Sequence, residues 1–126
     1  RRKMVTLKNE QAMIVYGIPN CDSVKKATVW LKKGKLAFTF HNFRESGITA
    51  AKLNAWCKQV GWELLLNKKS TTWRGLTPEQ QAAVTTQKTA VRVMQRHHSI
   101  IKRPVIEYNG KIIVGYNEAH YEQELR

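Results

Sequence analysis

The chain has little cysteine, few acidic residues and no long apolar run, and each shortage excludes a class of protein. Two of its 126 residues are cysteines, too few and too irregularly placed for a disulfide-stapled scaffold, so a reducing cytoplasm is the expected compartment. No apolar stretch approaches the ~18 residues of a membrane-spanning helix, and no secretory signal pattern is visible. We therefore expect a cytoplasmic protein with no membrane partner.

Positively charged residues greatly outnumber negatively charged ones in this sequence. Lysine and arginine number 22 against 9 acidic residues, which gives a net charge of +13. The basic residues are spread along the chain and are typical of weak, nonspecific anion attraction. No zinc-finger, basic-zipper or aromatic–basic RNA motif accompanies them, so no specific nucleic acid is expected. The four histidines have no metal-ligand spacing, and no metal is predicted.

The length and the 42% hydrophobic content fit one globular domain. Residues 1–12 are polar and lack periodicity, so we expect a flexible N-terminal tail followed by a single domain over residues 13–126. Nothing in the pattern calls for more than a monomer.

A short apolar strand, a turn and a basic helix open this domain. Residues 13–16 are typical of a buried strand, and a glycine and a proline follow in the turn. The helix is predicted to run to Lys33 and to end at Gly34. Its apolar side chains recur at helical spacing, at Val24, Ala27 and Leu31.

Cys21 falls at the N-terminus of this helix. Unpaired N–H groups and the positive end of the helix dipole favour an anion there, and the thiolate of a cysteine is the nucleophilic form. Lys25, one turn further on, adds to this effect, whereas Asp22 opposes it. A reactive cysteine is the hypothesis; the alternative is a small buried residue that happens to begin a helix.

The middle of the chain is predicted to be helical. Residues 36–43 alternate as a second strand, which would lie parallel to the first. Thr49 is then expected to cap a helix that ends at Gly61 and that buries Cys57 as a structural thiol. Residues 77–80 (TPEQ) form a capping box that starts two short helices, and residues 67–75 are expected to be a polar loop.

The C-terminal pattern returns to strands. Residues 105–108 and 111–114 flank Asn109-Gly110, the signal of a type I′ hairpin. Asn117 is expected to cap a last helix. The order βαβ, helical block, ββα predicts an α/β fold with a four-stranded mixed sheet.

Four separated motifs resemble the ArsC-like family of arsenate reductases and Spx proteins, in its YffB-like branch. They are YGIPNCDSVKKA at residues 16–27, GWELLLN at 61–67, TTWR at 71–74 and IIKRP at 100–104. The resemblance implies a thioredoxin-like fold. Residues 13–45 and 100–126 would form its core, and residues 46–99 a helical insertion.

The resemblance also implies roles for single residues. Cys21 matches the catalytic cysteine, Arg103 an arginine that contacts anionic substrate, and Pro104 a proline that is cis in thioredoxin-like folds. Many relatives carry a second cysteine three residues after the first. Val24 occupies that position here, which excludes an internal disulfide at this site.

Two further arginines of arsenate reductases are replaced, by Asn67 and Gly115. Lys25, Lys69 and Arg74 are the candidates to supply positive charge instead, with Asn67 retained as a possible anion contact. Arsenate is therefore a questionable substrate.

The resemblance implies a monothiol oxidoreductase, either a glutathione-dependent thiol reductase or an arsenate-reductase-like protein, with Cys21 as its nucleophile. No bound cofactor is expected. Glutathione or another small thiol would be the co-substrate, its carboxylates suiting Lys25, Arg74 and Arg103, and glutaredoxin is a further candidate partner. The alternatives are an Spx-like transcriptional regulator that binds RNA polymerase and a thiol-sensing binding protein without turnover.

Overall fold

A computed structural model describes residues 12–126, which fall into two compact units. The first unit runs to Asn42 and resumes over Arg103–Arg126, and the second is Phe43–Lys102. Nearly all of the predicted flexible tail, residues 1–11, lies outside the described residues. No helix among the described residues is both long and apolar enough to span a membrane.

The first unit contains a four-stranded mixed sheet. Its strands are β1 (Met13–Gly17), β2 (Thr39–Asn42), β3 (Val105–Tyr108) and β4 (Lys111–Val114), in the order β2-β1-β3-β4. β1 and β2 are parallel, and the other two pairs are antiparallel. This is the sheet that the sequence predicts.

The hairpin and the two helices of this unit also follow the predicted pattern. Asn109 and Gly110 both have positive φ, 52° and 76°, as a type I′ turn between β3 and β4 requires. Helix α1 (Asp22–Lys33) ends at Gly34, whose N–H donates to the Trp30 carbonyl. The C-terminal helix, α8 (Glu118–Leu125), is capped by Asn117.

One face of the sheet and the two helices enclose the core of the first unit. Trp30 and Tyr121 meet edge to face, with ring centroids 5.4 Å apart. The Tyr121 hydroxyl donates to the Gly115 carbonyl over 2.6 Å, and burial raises the pKa of Tyr121. The other members of this cluster are apolar: Met13, Val15, Ala27, Leu31, Ile106, Ile113 and Leu125.

β2 is shorter than predicted. The expected strand began at residue 36, but Lys35 has a positive φ of 57° and the Leu36 N–H donates to the Leu31 carbonyl. The chain thus folds back onto the end of α1 before pairing with β1 begins at Thr39. At the other end, Phe43 starts a helix rather than ending the strand.

The second unit is helical. Its elements are α2 (Phe43–Ser46), α3 (Ala50–Val60), α4 (Trp62–Leu65), α5 (Thr71–Arg74), α6 (Pro78–Ala82), α7 (Gln87–Arg96) and a 3-10 helix (His98–Ile100). Thr49 caps α3 and Thr77 forms the predicted capping box with Gln80.

The prediction of a polar loop over residues 67–75 is wrong in part. Ser70 caps the short helix α5 by accepting a hydrogen bond from the Trp73 N–H, and Trp73 is buried. Burial of the Trp73 indole stabilises this helical turn, although the polar residues around it are typical of a loop.

Candidate active site around Cys21

Cys21 is the N-cap residue of α1. Its backbone is extended, at φ −127° and ψ 126°, and its carbonyl accepts the Lys25 N–H over 2.9 Å. The side chain is partly exposed and makes no capping hydrogen bond. Cys21 therefore lies at a helix N-terminus whose first-turn N–H groups receive no hydrogen bond from the N-cap side chain.

A close contact between strand and helix fixes the turn that carries Cys21. A Cβ on Gly17, the last residue of β1, would lie 2.7 Å from Val24 Cγ2. Val24 is buried in the first turn of α1. Only a glycine allows the helix to start this close to the strand end, so the position of Cys21 depends on Gly17.

The strand register brings Arg103 and Pro104 to the same edge of the sheet. Tyr16 pairs with Val105, so the residues just before β3 lie where β1 ends and the Cys21 turn begins. The Arg103–Pro104 peptide bond is cis, as the resemblance implies. Pro104 is buried and its carbonyl accepts the Gly115 N–H, while Arg103 is half-buried.

Lys25 lies at this edge as well, because it is the fourth residue of α1 and its N–H donates to the Cys21 carbonyl. Its side chain is exposed. Four predicted site residues thus lie in the first unit at one end of its sheet: Cys21, Lys25, Arg103 and Pro104.

The other two predicted site residues lie in the second unit and make local hydrogen bonds. Asn67 Oδ1 accepts the Lys69 N–H over 3.0 Å, and Arg74 Nη2 donates to the Lys69 carbonyl over 2.8 Å. Both side chains therefore stabilise the turn around Lys69. A role for them in anion binding stays a prediction.

The second cysteine is a structural thiol, as predicted. Cys57 lies on the inner side of α3 and its exposed fraction is 4%. Burial raises the pKa of the Cys57 thiol, and the negative charge of Glu63 adds to the rise. Cys57 is thus kept in the less reactive protonated form.

The sequence did not reveal a polar pair on the sheet. The Tyr16 hydroxyl donates to Glu107 Oε1 over 2.8 Å, and the Tyr16 ring lies 4.7 Å from that of His41. Burial, followed by the hydrogen bond to Glu107, raises the pKa of Tyr16. The strand alternation places Tyr16 and Glu107 on one face, but the register that joins them is a long-range property.

Among residues 12–126, no group of three or more histidine, cysteine, aspartate or glutamate side chains is arranged to hold a metal ion.

Comparison with known proteins identifies relatives across most of the chain. A solved structure of the YFFB protein superimposes with a TM-score of 0.87 at 38% identity, covering 90% of this chain and 99% of the other. An arsenate reductase (ArsC) related protein from Brucella melitensis gives a TM-score of 0.72, also at 38% identity, over 91% and 95% of the two chains.

A more distant relative is a regulator. The global transcriptional regulator Spx of Streptococcus pneumoniae is 24% identical over 102 residues, which are 79% of this chain and 75% of that protein.

The sequence model of the ArsC family matches residues 16–124, a span that contains the whole second unit, most of the described part of the first and every predicted site residue. The fold is accordingly thioredoxin-like, and the chain belongs to the ArsC family.

Proposed function

We propose that this protein is a monothiol oxidoreductase that reduces mixed disulfides of glutathione. The observation that carries the proposal is the state of the two cysteines. Cys21 is partly exposed at a helix N-terminus, and Cys57 is buried. A single accessible thiol in the described chain suits a mechanism that needs one protein nucleophile and one external thiol.

The first step is an exchange of disulfide partners. The Cys21 thiolate attacks the glutathione sulfur of a mixed disulfide, a Cys21–glutathione disulfide forms, and the substrate leaves as a thiolate that takes a proton from water. The substrate sulfur is reduced and Cys21 is oxidised. The helix N-terminus stabilises the attacking anion.

The second step requires a thiol from outside. Val24 occupies the position of the second cysteine in dithiol relatives and is buried, and Cys57 is held in a helix of the second unit. A free glutathione thiolate therefore attacks the glutathione sulfur of the adduct, which releases oxidised glutathione and regenerates Cys21. Glutaredoxin is an alternative resolving partner, and the cytoplasm is the compartment where glutathione is abundant.

Binding of glutathione falls to the basic residues near Cys21. Lys25 and Arg103 lie at the same sheet end as Cys21 and are suited to glutathione carboxylates. Pro104 shapes this edge, and Arg74 is a further candidate. Arsenate is the weaker substrate because Asn67 and Gly115 replace family arginines.

The test is reduction of a glutathionylated peptide by glutathione, measured for wild type, Cys21→Ser and Cys57→Ser. We expect Cys21→Ser to be inactive and Cys57→Ser to keep most of the activity. Full activity of Cys21→Ser would refute the mechanism.

A second candidate function is transcriptional regulation, favoured by the similarity to Spx. In that case the protein would bind RNA polymerase and Cys21 would act as a sensor. Pull-down of purified polymerase at low salt tests it, and absence of binding would argue against this function.

A further inference from the structure

A groove beside the Cys21 turn shares Lys25 with the proposed glutathione contacts and is otherwise not used by the chemistry above. It lies along one side of α1 and has a volume of about 230 Å³. Its walls are mostly apolar, with one threonine, and two lysines stand at its rim: Pro19, Val24, Thr28, Phe38 and Phe40, with Lys25 and Lys32. We call it the α1 groove. Pro19 belongs to the turn before Cys21, and Val24 and Lys25 to the first turn of the helix that Cys21 caps, so one end of the groove lies beside that turn.

The two rim lysines are available to a ligand. Lys25 and Lys32 are exposed, and neither forms an ion pair with another described residue. They are seven residues apart on α1, a separation of roughly 10 Å along the helix axis. An extended chain covers that distance in about three residues.

The apolar wall selects for a side chain rather than for a simple anion. Phe38 and Phe40 are half-buried, because each packs partly against the core of the first unit. β2, which contains Phe40, is an edge strand of the described sheet. An oxyanion would leave these rings in water, whereas an extended polypeptide would cover them with an apolar side chain and reach both lysines.

We propose that the α1 groove binds an acidic, extended segment of a protein substrate and presents that segment's glutathionylated cysteine to Cys21. The segment carries an apolar side chain between carboxylates two to four residues apart. This inference rests on the proposed function, since it names the substrate. The redox steps are those given above, with the acidic protein leaving as the thiolate that is protonated by water.

The test compares three substrates. Two are peptides of equal length with one glutathionylated cysteine and one phenylalanine, in which the flanking charged residues are all glutamate or all lysine. The third is the mixed disulfide of cysteine and glutathione, which lacks the flanking residues that would occupy the groove. Each is assayed with wild type, Lys32→Glu and Lys33→Glu.

Lys33 is a matched control. It is exposed in the same last turn of α1 as Lys32, carries the same charge and does not line the groove. Lys33→Glu therefore reproduces the change in net charge and in the helix end without altering the groove.

We expect Lys32→Glu to lower kcat/KM for the glutamate peptide about fivefold, mainly through KM, because one exposed charge contact is worth up to ~1 kcal/mol. Lys33→Glu should change it less than about twofold. The cysteine–glutathione substrate should be unaffected by Lys32→Glu. Equal losses in the two variants, or equal kcat/KM of wild type for the two peptides, would overturn the docking proposal and leave the proposed function standing.

The same assay also distinguishes failure of the proposed function from failure of the docking proposal. If wild type reduces none of the three substrates, the proposed function fails. The groove is then tested by fluorescence anisotropy with the reduced, labelled peptides and a single-stranded oligonucleotide. Tighter binding of the glutamate peptide that only Lys32→Glu weakens supports the groove; preference for the oligonucleotide, or equal weakening by both variants, overturns it.

Discussion

Gly17 and Val24 are in such close contact that a single added methyl on Gly17 would come within 2.7 Å of Val24 Cγ2. Gly17 does not have a positive φ, so the glycine is needed for space and not for backbone conformation. The contact joins the end of β1 to the first turn of α1 and thereby sets where Cys21 stands relative to the sheet.

This contact predicts a coupling between two substitutions. Gly17→Ala should destabilise the fold by about 1–3 kcal/mol through overpacking, whereas Val24→Ala removes the clashing atoms at the cost of a cavity. The double variant should be more stable than the sum of the single effects predicts, by about 1 kcal/mol or more. Urea unfolding of all four proteins measures this, and strictly additive effects would show that the two side chains do not meet.

Cysteine accessibility gives a second prediction. Iodoacetamide at neutral pH should alkylate Cys21 at least about tenfold faster than Cys57, because Cys57 is buried and its raised pKa keeps it protonated. Peptide mapping by mass spectrometry reports each rate. In denaturant the difference should largely disappear, and equal rates in the native protein would contradict the burial of Cys57.

The raised pKa of Cys57 also has a consequence at alkaline pH. The folded protein holds the Cys57 proton more tightly than the unfolded chain, so unfolding releases a proton above the ordinary thiol pKa of 9.0. The free energy of unfolding is therefore unaffected by this group at lower pH and falls as the pH rises past that value.

Cys57→Ala removes the titrating group and should reduce this fall. Its unfolding free energy, measured in urea from about pH 7 to pH 10, should decrease less steeply than that of wild type. Burial also raises the pKa of Tyr16 and Tyr121, so some alkaline destabilisation will remain in the variant. Parallel curves for the two proteins would show that Cys57 does not contribute.

Arg74 allows its structural and its proposed binding role to be separated. Arg74→Ala removes the hydrogen bond to the Lys69 carbonyl, for which we expect a loss of stability below about 1.5 kcal/mol. If Arg74 also binds glutathione, the KM for glutathione should rise while kcat changes little. Arg92→Ala, an exposed arginine in α7, is the control. An unchanged KM would leave Arg74 a purely structural residue.

Local signals account for what the sequence predicts well. The caps Thr49, Thr77 and Asn117 act within three residues of the helices they start, and the Asn109-Gly110 turn is equally short-range. Such features are determined by neighbouring residues and can therefore be predicted from the sequence.

The features that the sequence did not predict depend on tertiary packing. Helix α5 forms because Trp73 is buried, although its neighbours have a loop composition. β2 begins three residues later than predicted because the Leu36 N–H donates to the Leu31 carbonyl of α1. The hydrogen bond between Tyr16 and Glu107 joins residues 91 apart in the chain. Each of these features depends on tertiary contacts, which the pattern of neighbouring residues in the sequence does not specify.

Cys21 is the single nucleophile of the glutathione-dependent reduction that we propose. The most direct measurement is turnover of a glutathionylated peptide by glutathione with wild type, Cys21→Ser and Cys57→Ser, alongside intact-mass analysis of wild type after the peptide is added without free glutathione. We expect a single glutathione on Cys21, turnover by wild type and Cys57→Ser, and none by Cys21→Ser. Turnover by Cys21→Ser, or wild type that neither accepts glutathione nor turns over, would contradict it.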